Sequence, residues 1–266
     1  MTPGPFFWIR FMLYRPPSIT IIGFGAFGRL VAAVLASHAR VSVYDESPDA
    51  SSAASALGFE VIASTKEIST DIVVLAVPVQ SLSEVLLDIA PLLRPGQVVV
   101  DVCSIKEEPA RMMRQLLPPH VEVLASHPMF GPGSVKNGVA GAQIVLCPVR
   151  GTRWRTFAVF LRRTLGLEVI VTTPEEHDRQ AAMTQGLTHL LARAFQALGE
   201  RPRIRTRSFD LILEALAMVT NDAPEIYEAV TRGNRHVDPL RQDLLRALAS
   251  LGKAPESAAA ADAAGQ

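Results

Sequence analysis

The sequence predicts an α/β protein in which a doubly wound, mostly parallel sheet is followed by an all-helical C-terminal region. From residue 18 to residue 173, short β-branched apolar runs alternate with segments of helical periodicity. That alternation is typical of parallel sheets covered by helices. After Pro174 the strand signals end, and the chain becomes rich in Ala, Leu, Gln and Met. This change predicts a boundary between residues 173 and 174.

The predicted elements follow one another in regular order. Strands are predicted at residues 18–23, 40–44, 60–63, 71–77, 97–102, 121–125, 143–147 and 168–171. Helices are predicted at residues 26–37, 50–57, 81–93, 175–198, 209–220 and 226–251. Two arrangements fit these helices: a separate second domain, or helices packed onto the same sheet. The abrupt change at Pro174 favours a sheet domain over residues 18–173 and a helical domain over residues 174–252. Because its helices are apolar on more than one face, the second domain is expected to form a homodimer.

Composition excludes several classes of protein. The 266 residues carry 26 basic and 26 acidic side chains, so the chain lacks the positive charge of a general nucleic-acid binder. An apolar fraction of 48% excludes global disorder. Cys103 and Cys147 cannot form a disulfide framework and have no metal-ligand spacing. We expect reduced thiols, a cytoplasmic location and no metal site.

Both ends of the chain are predicted to lie outside the fold. Residues 1–17 form an apolar extension interrupted by Arg10, too short to span a bilayer and without the pattern of a signal peptide. Translation starting at Met12 is an open alternative. Residues 253–266 are Ala-rich and lack large apolar side chains, which predicts a disordered tail. No membrane partner is expected.

A GxGxxG motif, with the sequence GFGAFG, lies between the first predicted strand and the first predicted helix. In that context the motif indicates a dinucleotide site. Gly23 allows the tight turn, Gly25 lets the backbone approach a pyrophosphate, and Gly28 permits close packing of helix and strand. The backbone at Ala26 and Phe27 opens the helix whose N-terminus binds the phosphates. The sequence therefore predicts a Rossmann-like nucleotide-binding domain.

An acidic residue marks the end of the second predicted strand. Asp45 lies where a carboxylate accepts hydrogen bonds from the adenosine ribose, and it would repel a 2′-phosphate. NAD is therefore favoured over NADP. Val77 and Pro78, which end another predicted strand, are expected to flank the cofactor, because ligands bind at the carboxyl ends of parallel strands.

Two further strand ends, with the sequences DVCSIK and SHPMFGP, are predicted to open on the same crevice. His127 follows its strand and precedes a proline, a position suited to proton handling on a bound substrate. A structural role for His127, capping a turn, is equally compatible with that position. Cys103 has no base near it in sequence and is expected to be buried and inert.

Six segments occur in the order known for one enzyme family. They are GFGAFG, the AVP loop, DVCSIK, SHPMFGPGS, EEHDRQAAMTQGLTH and NDAPEIY. Together they resemble the prephenate/arogenate dehydrogenases of tyrosine biosynthesis over about residues 18–251. The form HPMFGP, followed by KNG and an EHD helix, is most similar to the plant-type arogenate dehydrogenases. Asp45 departs from that group, whose members use NADP.

The resemblance implies an oxidative decarboxylation with hydride transfer to a nicotinamide. It implies that His127 hydrogen-bonds the substrate hydroxyl and that Ser104 lies between this histidine and the nicotinamide. Lys106 is expected to support their loop. In the helical domain, Gln185, His189 and Thr206 match family positions that contact the substrate. Without the resemblance, the sequence would favour a structural role for His189 on the core-facing side of a helix.

Asp222 matches a position where enzymes that prefer arogenate carry an acid. A carboxylate there pairs with the ammonium group that arogenate has and prephenate lacks. The alternative is that Asp222 caps the helix beginning near Pro224. Gly133 and Glu228 depart from bacterial prephenate dehydrogenases, which carry a Glu and an Arg there. The side-chain carboxylate is left without an assigned partner, and the candidates are Arg205, Arg207, Arg232 and Arg235.

The sequence leaves three other functions to compare with this one. Prephenate dehydrogenase is the alternative within the family. A β-hydroxyacid dehydrogenase is disfavoured because residues 175–251 contain no lysine. A catalytically silent NAD-binding sensor or assembly module is disfavoured because His127 and Ser104 are both present.

Overall fold

The computed structural model describes residues 16–199 and 202–251. One eight-stranded sheet has the order β3-β2-β1-β4-β5-β6-β7-β8. The strands are β1 (Ser18–Ile22), β2 (Arg40–Tyr44), β3 (Glu60–Val61), β4 (Ile72–Leu75), β5 (Val98–Asp101), β6 (Glu122–Pro128), β7 (Gln143–Arg150) and β8 (Glu168–Val171). Every pairing is parallel except that of β6 with β7. The predicted fold class is confirmed.

Helices cover both faces of the sheet and make up the C-terminal region. They are α1 (Ala26–Leu35), α2 (Pro48–Ala56), α3 (Val79–Ile89), α4 (Glu107–Leu116), α5 (Trp154–Arg163), α6 (Pro174–Ala181), α7 (Leu187–Ala197), α8 (Arg207–Thr220), α9 (Pro224–Thr231) and α10 (Val237–Leu251). A π-helical segment, Ala182–Gly186, joins α6 to α7. Short 3₁₀ turns occupy Thr65–Glu67 and Ala90–Leu92.

The central strands are apolar throughout because both of their faces are buried. In β4, Val73 and Leu75 belong to the apolar cluster that includes Leu82 of α3. The alternate residues Ile72 and Val74 belong to the cluster on the opposite face, formed with α1, α2 and α5. A period of two residues distributes one short run over two cores.

The strand order places a crevice at the carboxyl ends of β1 and β4. From β1 the chain leads outward through β2 and β3, and it returns to β4 on the other side of β1. Loops leaving β1 and β4 therefore run in opposite directions and separate, which creates the ligand crevice of an open α/β sheet. The loops after β1, β4 and β5 all open at this edge.

The antiparallel pairing of β6 with β7 corrects one predicted boundary. The strand predicted at residues 121–125 continues to Pro128, which lies opposite Ile144. The added ladder keeps the backbone extended beyond the parallel partner β5. His127 therefore lies inside the strand, where it is 4% exposed, rather than in a loop after it.

The helix predicted over residues 226–251 is wrong, because the chain forms two helices there, α9 and α10. A Cβ on Gly233 would lie 2.6 Å from the carbonyl oxygen of Ala229. The side chain of Asn234 then accepts a hydrogen bond from the backbone N–H of His236 at 3.0 Å. Such a local side-chain bond competes with helical hydrogen bonding and begins a new segment.

Two helices, α4 and α5, are not among the elements predicted from sequence. The other predicted elements are present with boundaries shifted by a few residues. Helix α6 begins at Pro174 and is capped by the hydroxyl of Thr173, which accepts from the backbone N–H of Glu176 at 3.2 Å. The division into two domains at this point stays a prediction.

The predicted terminal segments fall almost entirely on residues 1–15 and 252–266, outside the described residues. Within the described ranges, no helix has the length and apolar character needed to cross a membrane.

Candidate nucleotide and active site

The loop after β1 has the geometry of a phosphate-binding turn. Gly23 has a φ of 96°, and a Cβ there would lie 2.5 Å from the carbonyl oxygen of Ala76. A Cβ on Gly28 would lie 2.1 Å from the carbonyl oxygen of Gly23. A Cβ on Gly25 would meet no atom of residues 16–199 or 202–251 within 4 Å. Two glycines thus serve close packing, and Gly25 faces the open space that a pyrophosphate requires.

Helix α1 presents its N-terminus to that open space. Gly25 is its N-cap residue, and no side chain caps the helix. The backbone N–H groups of Ala26, Phe27 and Gly28 belong to the first turn, where no intrahelical acceptor exists. These donors and the helix dipole suit an anion. The loop therefore fits the diphosphate of a dinucleotide.

Asp45 fixes the glycine loop from the end of β2. Its carboxylate accepts from the backbone N–H of Phe24 at 2.6 Å and from the backbone N–H of Ser47 at 2.8 Å. The side chain is half-buried. Asp45 thus stabilises the loop as well as lying at the position predicted for the ribose contact.

The loops after β4 and β5 contact each other beside the glycine turn. A Cβ on Gly23 would come within 3.0 Å of a side-chain methyl of Val77, and Pro78 is the N-cap residue of α3. The thiol of Cys103 donates to the carbonyl oxygen of Val77 at 3.7 Å. Burial raises the pKa of the Cys103 thiol far above its usual value, which agrees with an inert, buried cysteine.

A buried ion pair supports the DVCSIK loop. Lys106 and Asp101 are both inaccessible to solvent, and the Lys106 ammonium contacts the Asp101 carboxylate. The ammonium also donates to the carbonyl oxygen of Ser126 at 2.7 Å. The same carboxylate accepts from the backbone N–H of Cys103 at 3.0 Å. Lys106 and Asp101 thus connect the ends of β5 and β6.

Ser104 lies within the loop that this ion pair supports. Its neighbours Cys103 and Ile105 are buried, whereas Ser104 is half-buried. Its hydroxyl makes no hydrogen bond to any residue in the described ranges. The hydroxyl is therefore available to a bound molecule.

His127 is connected to a second histidine and to a carboxylate. Its Nδ1 lies 2.8 Å from Nε2 of His177, and Nδ1 of His177 lies 2.7 Å from the Asp178 carboxylate. All three side chains are buried. Burial lowers the pKa of His127 well below its usual value, and His177 and Lys106 lower it further. His127 is therefore a neutral imidazole at neutral pH and able to accept a proton.

The π-helical segment places two of the predicted substrate residues. Oε1 of Gln185 is buried and has no hydrogen-bond partner among the described residues. The backbone carbonyl oxygen of Gln185 lies 2.9 Å from Nδ1 of His189. Wider π turns occur frequently at functional sites, and an unpartnered buried oxygen favours a ligand that donates a hydrogen bond to it.

Asp222 contacts His189 rather than capping a helix. Its carboxylate lies 3.1 Å from Nε2 of His189. The N-cap residue of α9 is Ala223, which makes no side-chain cap, so the capping interpretation of Asp222 is wrong. Both ring nitrogens of His189 face acceptor oxygens, an arrangement fully satisfied only when both nitrogens carry a proton.

Thr206 lies at an exposed helix start. Its hydroxyl accepts from the backbone N–H of Phe209 at 3.2 Å and lies 3.0 Å from the hydroxyl of Ser208. These contacts make Thr206 the N-cap of α8. No hydrogen bond within the described ranges connects it with His189 or Asp222, and its contact with substrate stays a prediction.

The four arginines considered for the substrate carboxylate all have acidic partners. The pairs are Arg205 with Asp210, Arg207 with Glu214, Arg232 with Glu228, and Arg235 with Glu107 and Glu175. Another arginine, Arg193, lies one turn after His189 on α7. The guanidinium of Arg193 lies 4.9 Å from the centre of the Tyr227 ring, whose centre is 6.4 Å from that of His189.

Comparison with known proteins agrees with this geometry. The family profile described as "Prephenate dehydrogenase, nucleotide-binding domain" matches residues 31–171, more than half of the chain. The chain belongs to the prephenate dehydrogenase family. The resemblance found from sequence motifs is thereby confirmed.

Individual relatives differ in length and in named substrate. Arogenate dehydrogenase 2, chloroplastic, of Arabidopsis thaliana is 29% identical over 80% of this chain and 64% of its own. Arogenate dehydrogenase 1, chloroplastic, of the same plant is 31% identical over 80% and 35%. A 4-amino-4-deoxyprephenate dehydrogenase of Streptomyces pristinaespiralis is 30% identical over 71% and 65%. The chain spans between about a third and two thirds of these relatives.

Solved structures share the fold of this family member. Prephenate dehydrogenase from A. aeolicus, in complex with hydroxyphenyl propionate and NAD+, has a TM-score of 0.72 at 21% identity, covering 88% of this chain and 89% of that one. Synechocystis arogenate dehydrogenase has a TM-score of 0.69 at 20% identity, covering 88% and 90%. Both comparisons support the arrangement of sheet and helices described above.

Sequence reasoning missed several residues of the site in this prephenate dehydrogenase family member. They are His177, Asp178 and Arg193. The available sequence signal was a His followed by an Asp at the start of a predicted helix, after Pro174 and two glutamates. The sequence did not indicate that His177 contacts His127, because the two residues are 50 positions apart.

Replacing Gly25 and Gly28 separately by alanine should distinguish cofactor approach from packing. Gly25→Ala adds a methyl group to empty space, so its free energy of unfolding, measured by thermal unfolding, should lie within about 0.5 kcal/mol of wild type. Calorimetric titration should show greatly weakened NAD binding, because the methyl group occupies the space that the diphosphate requires. Gly28→Ala forces α1 away from Gly23 and should destabilise the fold by about 1–3 kcal/mol. Wild-type NAD affinity in folded Gly25→Ala would contradict the assignment.

Proposed function

We propose that this protein oxidises arogenate to tyrosine with NAD, with loss of the ring carboxylate as carbon dioxide. The observation that carries the proposal is the buried imidazole of His127 near the carboxyl end of β6, hydrogen-bonded to His177 through Nδ1. Prephenate, which would give 4-hydroxyphenylpyruvate, is the alternative substrate. The catalytically silent NAD-binding module is the alternative from another class.

The residues of the crevice fit NAD. Gly25 leaves room for the diphosphate, and the first turn of α1 supplies its donors. Asp45 offers a carboxylate where a ribose diol is bound and a 2′-phosphate is repelled. No basic residue lies within residues 45–50 to neutralise that carboxylate. When bound, the nicotinamide supplies the hydride acceptor.

His127 and Ser104 act on the hydroxyl carbon of the substrate ring. As the hydride leaves this carbon, Nε2 of His127 takes the hydroxyl proton, and the hydroxyl of Ser104 orients the same oxygen. The bond from the ring to the carboxylate carbon then breaks, its electron pair enters the ring, and the oxygen takes the proton back from His127. The net products are tyrosine, carbon dioxide and NADH, and no proton is released.

The helical region supplies the contacts to the rest of the substrate. Oε1 of Gln185 accepts a hydrogen bond from the substrate, while Asp222, whose carboxylate lies 3.1 Å from Nε2 of His189, faces its amino-acid end. The Asp222 side chain is 35% exposed, and only one of its carboxylate oxygens is bonded within the described residues. The other oxygen is directed to the arogenate ammonium. Thr206 is a further proposed contact of the substrate.

Arg193 is the cation we assign to the side-chain carboxylate of the substrate. It lies four residues after His189, on the same face of α7, and it stacks on Tyr227. It has no ion pair within residues 16–199 and 202–251, unlike the four arginines named above. Stacking on an aromatic face leaves the guanidinium edge free to bind a carboxylate.

A second copy of this chain is the proposed partner. The helical region exposes large apolar side chains on several helices, with Leu198 81% and Leu251 81% exposed. Others are Leu211, Ile212, Met218, Leu245 and Leu248. Burying such a surface favours self-association. We also propose that the protein is located in the cytoplasm.

One assay tests the activity. The absorbance of the reduced cofactor should rise fastest with NAD and arogenate, more slowly with NAD and prephenate, and least when NADP replaces NAD.

His127→Asn should lower turnover by about 10²–10⁴-fold with NAD affinity retained. His120→Asn is the matched control, because His120 lies just before the start of β6 and His127 lies near its other end. Because the pKa of His127 is lowered, kcat/KM should fall only at pH values below about 6.5, the usual His value. No NADH from either substrate would favour the silent module.

Asp222→Asn tests the choice of substrate. Loss of one charge-assisted contact worth about 1–3 kcal/mol should lower kcat/KM for arogenate about 5- to 150-fold more than for prephenate. The contact between His189 and residue 222 changes in the same way for both substrates, so the ratio isolates the ammonium contact. An unchanged ratio would refute the role of Asp222 in specificity.

A further inference from the structure

A second pair of residues lies behind His127, away from its substrate-facing nitrogen. His177 belongs to α6, in the helical region, whereas His127 belongs to β6. The two rings are 5.0 Å apart between centres with an interplanar angle of 64°. This geometry directs Nε2 of His177 at Nδ1 of His127, with the 2.8 Å separation of a hydrogen bond.

In the hydrogen-bonded series His127, His177 and Asp178, the carboxylate of Asp178 determines the direction of each hydrogen bond. The Asp178 carboxylate accepts from the backbone N–H of Lys106 at 2.7 Å and from the backbone N–H of Glu107 at 2.9 Å. These are among the first N–H groups of α4, which have no acceptor inside the helix. An ionised carboxylate is an acceptor only. Nδ1 of His177 must therefore carry the proton of its bond to Asp178.

That constraint passes from one ring to the next. With a proton on Nδ1, neutral His177 has a lone pair on Nε2. Nδ1 of His127 must then donate to it, and Nε2 of His127 is left with its lone pair. We infer that His177 and Asp178 are positioning residues that hold His127 in the tautomer able to accept the substrate proton. The inference rests on the proposed function of His127.

The charged groups around His127 agree with this arrangement. On β5, Asp101 is paired with Lys106. On β7, burial raises the pKa of the Cys147 thiol to about 12, so that it is uncharged. On α6, Asp178 is the remaining anion, and it is held by neutral N–H donors. When His127 accepts a proton, Asp178 stabilises the positive charge shared by the two rings.

Burial also suits a proton that is taken and then returned. His177 is 4% and Asp178 2% exposed. In the proposed reaction, the proton leaves the substrate oxygen as the hydride departs and returns to it when carbon dioxide is lost. The pair of histidines needs to hold the proton during one turnover only.

Nitrogen NMR of the protein labelled with ¹⁵N-histidine tests the tautomer directly. The chain has six histidines, and the His127 signals are identified by their loss in His127→Asn. Wild type should show a protonated Nδ1 and an unprotonated Nε2 on His127 at pH 7.5. A protonated Nε2 on His127 in wild type would overturn the inference, whatever the substrate proves to be.

Two substitutions of His177 separate positioning from packing. His177→Phe removes both ring nitrogens, so His127 should become a mixture of tautomers and kcat should fall by about 10–100-fold, with NAD affinity unchanged. His177→Gln retains an acceptor oxygen and should recover part of both kcat and the Nδ1-protonated form. His120→Gln is the control and should match wild type, because within the described residues the His120 ring makes one hydrogen bond, with the carbonyl oxygen of Leu93.

The possible failures are distinguishable. If no family substrate is oxidised and the tautomer is as inferred, the proposed function fails and the positioning role of His177 and Asp178 stands. If substrates are oxidised and His177→Phe keeps wild-type kcat and tautomer, the positioning role fails alone. Thermal unfolding of each variant shows whether a lost signal reflects loss of the fold.

Discussion

The buried carboxylate of Asp178 is the contact on which the site depends. It accepts the first backbone donors of α4, after the DVCSIK loop, and it accepts from His177 on its own helix. The backbone carbonyl oxygen of Asp178 accepts from the side chain of Asn234 at 2.7 Å. Because Asn234 also begins the turn into α10, Asp178 links the sheet, the start of the helical region and the break between α9 and α10.

A second buried charge pair sets the other side of the crevice. Lys106 and Asp101 join the ends of β5 and β6, so that Ser104 and His127 are carried by strands fixed to each other. Removing one partner of such a pair leaves an unpaired buried charge, which typically costs about 3–5 kcal/mol. The two carboxylates differ in their partners, because Asp101 binds an ammonium as well as the backbone N–H of Cys103, whereas Asp178 accepts from backbone N–H groups and from His177.

The parts of the fold that sequence predicted are those determined locally. Buried β-branched runs identified the strands, and GFGAFG identified the nucleotide loop, because each depends on a few neighbouring residues. Helix α4 was not predicted because its charged residues, such as Glu107 and Arg111, obscure the apolar periodicity of the segment. The extension of β6 to His127 was not predicted because it depends on pairing with β7. The break after Gly233 was not predicted because, besides its local contacts, the side chain of Asn234 is held by the distant carbonyl oxygen of Asp178.

The candidate site divides in the same way. Motifs placed His127, Ser104 and Asp45 at strand ends, where a parallel sheet collects ligands. The partners of these residues lie far away in sequence, and Lys106 and Asp178 are 72 positions apart along the chain. One sequence contains no signal for such a pairing. The contact of Asp222 with His189 was missed for the same reason, although both residues were candidates.

Hydrogen exchange of two backbone amides in the wild-type protein tests this central role of Asp178 most directly. The N–H groups of Lys106 and Glu107 open α4 and would ordinarily exchange quickly, since the first turn of a helix lacks internal acceptors. If the buried carboxylate holds them, they should exchange as slowly as the amides of β5, through global unfolding alone. Exchange as fast as that of the exposed loop at Ser134 would contradict the account.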